Sequence, residues 1–382
     1  MKRHTILALA LFCVLPISAL NILFVTGYFP HLSQSFILDQ ITECIERGHK
    51  VKIHAFHKNP HKKMQTDVKK YNLLKIVSYG ENLPKLSEID IIFVQFGYHG
   101  MAVVDQAKQQ KYKGKIAVCF RGNDLTGYVQ KDPRMYDKLF QQADLFLPVC
   151  DYFKELLIKY GCPEEKIVVH HSPIRTKAFA FKSRKINKGE KIHLVTVARL
   201  TEKKGIEYVI KALVQLRKKY RHIRYMVLGD GKEKHNLHRL IMDNNLQAIA
   251  HLYGWATHEE IKNVLSRSHI FILPSITGKD GDQEGIPNAL KEAMAAGIPV
   301  ISTFHAGIQE LVTDKESGLL VEEKDVNGIV KAVELLIKNE DLYNKISRQG
   351  REKVIQDFDI KNVIDKLETI FYNLLADKKR RN

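Results

Sequence analysis

Two glutamates bracket the most informative stretch of the chain, Asp282-Gln283-Glu284-Gly285-Ile286-Pro287-Asn288-Ala289-Leu290-Lys291-Glu292-Ala293-Met294-Ala295-Ala296-Gly297-Ile298-Pro299-Val300. It reads as a loop, a helix, a glycine–proline turn and a buried strand. Pro287 suits the first helical position, where its missing N–H would have no intrahelical partner. Gly297 ends the helix and Pro299 stops it restarting. A helix N-terminus gathers unpaired N–H groups and a partial positive charge, so it suits a diphosphate. Ionised carboxylates on either side, Glu284 in the loop and Glu292 in the helix, are good acceptors for hydroxyls. A diphosphate flanked by hydroxyls describes a nucleotide sugar.

A second candidate site lies upstream, in Val197-Ala198-Arg199-Leu200-Thr201-Glu202-Lys203-Lys204-Gly205. It leaves a strand and opens a helix. Arg199 and Lys204 can converge on one anion across the turn, and Gly205 permits close backbone approach. Lys203 is expected at the surface. Asp230, in Gly229-Asp230-Gly231, is expected to cap the helix that follows. Trp255 follows another strand. Ser275–Asp282 is expected to be a mobile polar loop until a ligand binds. In the first half, Gly27 is the glycine available where the first strand ends. Arg121 in Phe120-Arg121-Gly122-Asn123-Asp124 cannot act as a base near neutrality but can hold a phosphate or a hydroxyl. His99 ends another strand and could offer an imidazole. No Gly-x-Gly-x-x-Gly follows a strand, which argues against a dinucleotide-dependent dehydrogenase.

Alternating apolar runs and helical patterns must position these residues, and that alternation is the mark of parallel α/β sheets. Strands are expected at Asn21–Thr26, Lys52–Phe56, Ile89–Gln95, Ile116–Phe120, Leu145–Pro148 and Ile167–His170. A second set is expected at His193–Val197, Tyr225–Gly229, Ile249–Leu252, Ile270–Pro274, Pro299–Ser302 and Gly318–Val321. Helices are expected at Ser35–Arg47, Tyr152–Tyr160, Gly205–Lys219, Lys232–Asn244, Thr257–Ser266, Pro287–Ala295, Asn327–Asn339 and Ile360–Leu375. The polar, aperiodic stretch near 181–191 reads as a linker. The expected organisation is an apolar segment over 1–20, a Rossmann-like domain over 21–180, that linker, a second Rossmann-like domain over 192–355, and a terminal helix with a basic tail over 356–382. Ligands of doubly wound sheets bind at the carboxyl ends of the strands, here in the cleft between the domains.

A chain of 382 residues is too long for one ordinary core. Its 45% hydrophobic and 27% charged content fits a soluble globular protein. The formal net charge of +17 implies an anionic partner. Lys378, Lys379, Arg380 and Arg381 form a terminal basic cluster. Five cysteines form no Cys-x-x-Cys pair, which suggests a reducing compartment without disulfides or structural zinc. Thr5–Leu20 is apolar and short for a spanning helix. It is compatible with a short anchor, a cleaved signal or a start assigned too early. In each case residues 1–20 are expected to lie outside the fold.

The glutamate stretch closely resembles the donor site of the retaining family-4 glycosyltransferases, which have the GT-B fold. Its wording is most similar to the branch that builds bacterial exopolysaccharides such as colanic acid. The resemblance runs from about Asn21 to Leu336 and is strongest over His193–Val321. It implies that Arg199 and Lys204 hold the donor diphosphate, Glu292 the ribose, and Glu284 the transferred sugar. Backbone groups around Trp255 would face the base, and Gly27, Gly285, Ile286 and Asn288 would line the donor. Arg121 replaces the histidine usual in relatives, Gln34 replaces an acidic residue, and Asp124 keeps its family position. The implied reaction moves a hexose from a nucleotide-diphosphate sugar, UDP being the favoured nucleotide, to a saccharide acceptor that is lipid-linked. It is a front-face substitution with Glu284, Arg199, Lys204, Arg121 and Asp124 around the reacting centre. No metal or other cofactor is expected, and no nucleic acid. The expected location is the cytoplasmic face of the inner membrane, against an anionic lipid surface. Two other readings stay open: a GT-B nucleotide-sugar epimerase, and a non-enzymatic basic protein that binds membrane or nucleic acid.

Overall fold

The computed structural model describes residues 19–31, 33–59, 64–187 and 189–380, without the side chains of 377–380. Nearly all of Thr5–Leu20, Cys13 within it, and the basic cluster's side chains lie outside the described residues. Among the described residues, twelve strands form two sheets. The first holds β1 (Asn21–Phe29), β2 (Lys50–Lys58), β3 (Val77–Tyr79), β4 (Ile91–Val94), β5 (Lys115–Phe120) and β6 (Leu145–Pro148). The second holds β7 (Ile192–Val197), β8 (Ile223–Leu228), β9 (Ala250–Gly254), β10 (Ile270–Ile272), β11 (Val300–Thr303) and β12 (Leu319–Val321).

The first sheet is ordered β3-β2-β1-β4-β5-β6 and the second β12-β11-β10-β7-β8-β9. Read from the other edge, the second repeats the plan of the first, and every registered pair is parallel. The central strands are buried on both faces, as helices on both faces of a parallel sheet require, whereas β2, β3 and β9 carry exposed residues. β4 and β10 are buried throughout. Chain direction across each sheet reverses beside its first strand, so crevices open between the loops after β1 and β4 and after β7 and β10.

The long helix Ile360–Arg380 lies against the first sheet's layer. Ile364, Leu367 and Phe371 join the core of Ile22, Phe24 and Phe93. Arg47 pairs with Asp365 at 2.5 Å and Glu368 at 2.6 Å. Leu20 corrects the expectation that the first twenty residues stand outside the fold. It is buried in that same core, and its N–H donates to His49 Nδ1 at 3.1 Å. Ile167–His170 forms no full strand, but it runs beside β6 through a bridge between Ile167 and Phe146 and a bond from the His170 N–H to the Pro148 carbonyl at 2.9 Å.

Candidate active site

β7 and β10 are neighbours in register at Ile270–Leu194 and Phe271–Val195. The loop with Arg199 and Lys204 leaves one strand, and the loop with Glu284 leaves the other, so topology brings the two candidate sites together. Gly205 is where the loops touch. Its φ is +62°, and a Cβ there would lie 1.9 Å from the Pro274 carbonyl oxygen. The close approach expected of Gly205 is therefore to neighbouring backbone.

Lys204 Nζ lies 2.8 Å from Glu284 Oε1. The two groups assigned to opposite ends of a donor thus pair with each other. Lys203 corrects its surface assignment. It is buried, and its ammonium donates to Asp282 Oδ1 at 2.9 Å and the Gln283 carbonyl at 3.1 Å, and lies 3.3 Å from Glu284 Oε1. Burial alone would raise the pKa of Glu284, but the Lys203 and Lys204 charges outweigh it and hold the carboxyl well below the usual range. The Glu284 N–H donates to His305 Nε2 at 3.1 Å, and His305 Nδ1 lies 2.5 Å from Glu323 Oε1. Within Ser275–Asp282 the Ile276 N–H donates to the Lys203 carbonyl at 2.8 Å and the Thr277 N–H to Glu323 Oε2 at 3.0 Å. Just after it, Gln283 N donates to Thr126 Oγ1 at 3.1 Å, and Tyr152 Oη donates to Gln283 Oε1 at 2.7 Å.

The helix after this loop spans Asn288–Ala295, with Pro287 at the cap position and no side chain capping it. Ile286, Asn288 and Glu292 join Arg199, Lys204 and Trp255 around a cavity of about 290 Å³. Arg199 is exposed and Trp255 is 47% exposed, so the indole is surface rather than core. Glu292 differs from the ionised hydroxyl acceptor expected of it. It is buried, and burial, with Asp39 adding, pushes its carboxyl up to about 8. The nearest ion-pair partner is His258 Nε2, at 3.6 Å, and burial lowers that imidazole. Lys291 turns from the cavity, and its ammonium donates to the Ser172 carbonyl at 2.5 Å.

From the first sheet, Arg121 reaches the same cavity. Its guanidinium donates to Ser172 Oγ at 2.6 Å, Gln95 Oε1 at 2.7 Å and Gln40 Oε1 at 3.1 Å, and lies over the Phe36 ring. The Asp124 carboxylate is buried and accepts N–H bonds from Gly97, Arg121 and Gly122 at 3.0, 3.0 and 2.8 Å. That set fixes the turn and leaves Asp124 a positioning group. Gly27 is corrected. β1 runs three residues past the expected end, so Gly27 is a buried strand residue beneath His99, outside the cavity lining. His99 is half-buried against Phe56, the two rings 5.0 Å apart, and desolvation lowers it to about 4. Gly285 is buried between the halves, where a Cβ would meet Val149 Cγ2 at 2.8 Å. Asp230 does not cap the next helix, whose cap position is Glu233. It accepts from the Gly231 N–H and pairs with Lys234 at 2.7 Å. Glu310 is structural as expected. It accepts the Asp151 and Tyr152 N–H groups at 2.9 and 3.1 Å, across the cleft.

A second cavity of about 490 Å³ adjoins the first and shares Arg121, Arg199 and Glu284 with it. Tyr98 and Tyr128 line it with partly exposed rings 5.7 Å apart. Among the described residues no group of three His, Cys, Asp or Glu side chains is placed to hold a metal ion. No helix there is long and apolar enough to cross a membrane. Sequence reasoning missed Lys203, Thr126, His305 and Glu323, whose roles depend on which neighbour each side chain turns toward.

Residues 177–353 match the family model described as glycosyl transferases group 1. The putative colanic acid biosynthesis glycosyltransferase WcaL of Salmonella typhimurium is 34% identical over 382 residues, covering 86% of this chain and 94% of that one. The amylovoran biosynthesis glycosyltransferase AmsK of Erwinia amylovora is 31% identical, with 89% and 96% covered. Anabaena Alr3699/HepE, crystallised in complex with UDP and glucose, matches with a TM-score of 0.78 at 17% identity, over 93% of this chain and all of that one. Sucrose-phosphate synthase from Thermosynechococcus elongatus matches at 0.76 and 15% identity. Likeness to WcaL across nearly its whole length, with two sheets of one plan facing a cleft, makes this chain a glycosyltransferase of group 1 with the GT-B fold.

Proposed function

We propose that the chain transfers a hexose from a UDP-sugar to a saccharide acceptor, with retention at the anomeric carbon, in the assembly of a surface polysaccharide. The observation that carries this reading is the convergence of Lys204, Arg199, Glu284, Glu292 and an uncapped helix N-terminus on one cavity at a topological switch point. The diphosphate meets Arg199, Lys204 and the helix N-terminus, which stabilise the leaving group as charge develops on it. That cationic set supports turnover without a metal. Glu284 orients the sugar, and Glu292 takes a ribose hydroxyl. The leaving diphosphate accepts the acceptor's proton in a front-face substitution, so the protein contributes position and charge rather than a nucleophile.

UDP is supported by HepE, whose structures hold UDP and UDP-glucose. An exopolysaccharide role is supported by the names of WcaL and AmsK. A lipid-linked acceptor is supported by an Escherichia coli relative, 28% identical over 40% of this chain, named as a galactosyltransferase acting on a diphosphoundecaprenol-linked sugar. The tyrosine-lined second cavity suits a sugar ring, whose C–H face packs on aromatic rings. The charge of +17 favours an anionic membrane surface on the cytoplasmic side. A thermal-shift screen across UDP- and GDP-hexoses tests the donor assignment. UDP-hexoses should raise the melting temperature most, and a chain unmoved by all of them contradicts the reading.

A further inference from the structure

Lys203 and Lys204 both bear on one oxygen of Glu284, but they are not equivalent. The Lys203 ammonium donates to Asp282 Oδ1 and the Gln283 carbonyl, and its charge lies 3.3 Å from Glu284 Oε1 as an ion pair. Asp282 and Gln283 thereby hold the charge of Lys203 beside Glu284. Asp282 is held in turn by Thr126, whose hydroxyl lies 3.3 Å from Oδ1 and accepts the Gln283 N–H. Lys204 lines the donor cavity, and its ion-pair partner among the described residues is Glu284. A diphosphate arriving at that cavity therefore competes with Glu284 for Lys204. If Lys204 were the sole partner, its departure would strand a buried carboxylate without a counter-charge, at a cost that weakens binding.

We propose that Lys203 is the standing counter-ion of Glu284, held by Asp282 and Thr126, which leaves Lys204 free to turn from Glu284 to the donor diphosphate. The inference rests on the functional reading above, which places a diphosphate at Lys204. It makes Lys203 a positioning residue that acts on the donor through Glu284 and touches no phosphate.

The test is a double-mutant cycle read by calorimetric titration with UDP on four full-length chains: wild type, Lys203→Met, Glu284→Gln and the double variant. Lys203→Met should weaken UDP binding about tenfold, since Lys204 must then stay with Glu284. Glu284→Gln needs no counter-ion, so it should bind UDP at least as well as wild type. In that background, Lys203→Met should change affinity less than threefold. A loss that persists in the glutamine background would make Lys203 a direct phosphate ligand and overturn the proposal. An unchanged affinity on Lys203→Met in the wild-type background would overturn it equally. Lys203→Arg keeps the charge if the methionine chain fails to fold. Affinity within threefold of wild type supports the counter-ion role, and a loss of about tenfold refutes it. A wild-type chain that binds no UDP refutes the functional reading, and this inference with it, whereas the cycle's other outcomes bear on Lys203 alone.

Discussion

Glu292→Gln should make the protein more stable at alkaline pH and leave it unchanged at acid pH. The carboxyl is buried on the helix Asn288–Ala295, with His258 as a weak neighbour and burial lifting it to about 8. Below its ordinary value of 4.5 the group is protonated in both folded and unfolded chains, so it contributes no pH dependence. Between 4.5 and about 8 the unfolded chain releases the proton and the folded chain keeps it, so stability falls as pH rises. Above about 8 both forms are ionised and the penalty is complete. At about 1.4 kcal/mol per pH unit, that interval sets an upper bound of about 5 kcal/mol. Water entering the cavity on ionisation reduces the bound, and about 2 kcal/mol is a reasonable expectation. The glutamine, nearly the same shape, removes the ionisation. Denaturant unfolding of both chains at pH 4 and pH 9 is the assay. Coincident curves at pH 4, below the ordinary carboxyl value, and a higher midpoint for the variant at pH 9 are expected. Equal midpoints at both pH values would show that Glu292 ionises freely, and would refute the burial argument.

Three further outcomes follow from the same geometry. Arg199→Ala/Lys204→Ala should weaken UDP binding by roughly 1.5–3 kcal/mol for each charge-assisted hydrogen bond removed, measured by calorimetry, and unchanged affinity would remove both from the diphosphate site. Thr126→Val should lower turnover while leaving UDP affinity within a few fold, with Thr126→Ser restoring turnover, because the hydroxyl holds the Glu284 loop rather than the nucleotide. The full chain should bind anionic vesicles in high salt, whereas a chain beginning at Ala19 should be released by salt, since stable attachment needs a hydrophobic term beside the basic one. Cosedimentation at two salt concentrations decides it, and a full chain free of vesicles at low salt refutes the membrane assignment.

The layered fold is legible because buried parallel strands announce themselves as short apolar runs between helical patterns. Leu145–Pro148 agrees to the residue. The misses have local causes. Val77–Tyr79 is short and only half buried, so its sequence lacks the apolar run. Gly97–Gln109 carries two glycines that argue against a helix, yet both are buried against neighbours, Gly97 under Phe120 and Gly100 under Leu139. Asn339 reads in sequence only as the end of one helix, although its side chain also accepts the Leu342 N–H and starts the next, Glu340–Phe358. At the site, residue type and spacing identify Arg199, Lys204, Glu284 and Glu292, because topology brings loops after adjacent strands together. They do not reveal that Lys204 and Glu284 pair with each other, that Lys203 turns inward, or that burial raises the Glu292 carboxyl. Those depend on burial and on packing across the cleft, which no local pattern encodes.

The proposed reaction moves a hexose from UDP with retention. It is tested by incubating the full-length chain with UDP-hexoses and lipid-linked saccharides, in the presence of EDTA, and reading the product's anomeric configuration by NMR. A product whose new linkage keeps the donor's α configuration is expected, formed by the wild-type chain and lost in Glu284→Gln. A β linkage, a donor epimerised without transfer, or turnover undiminished by Glu284→Gln would contradict it.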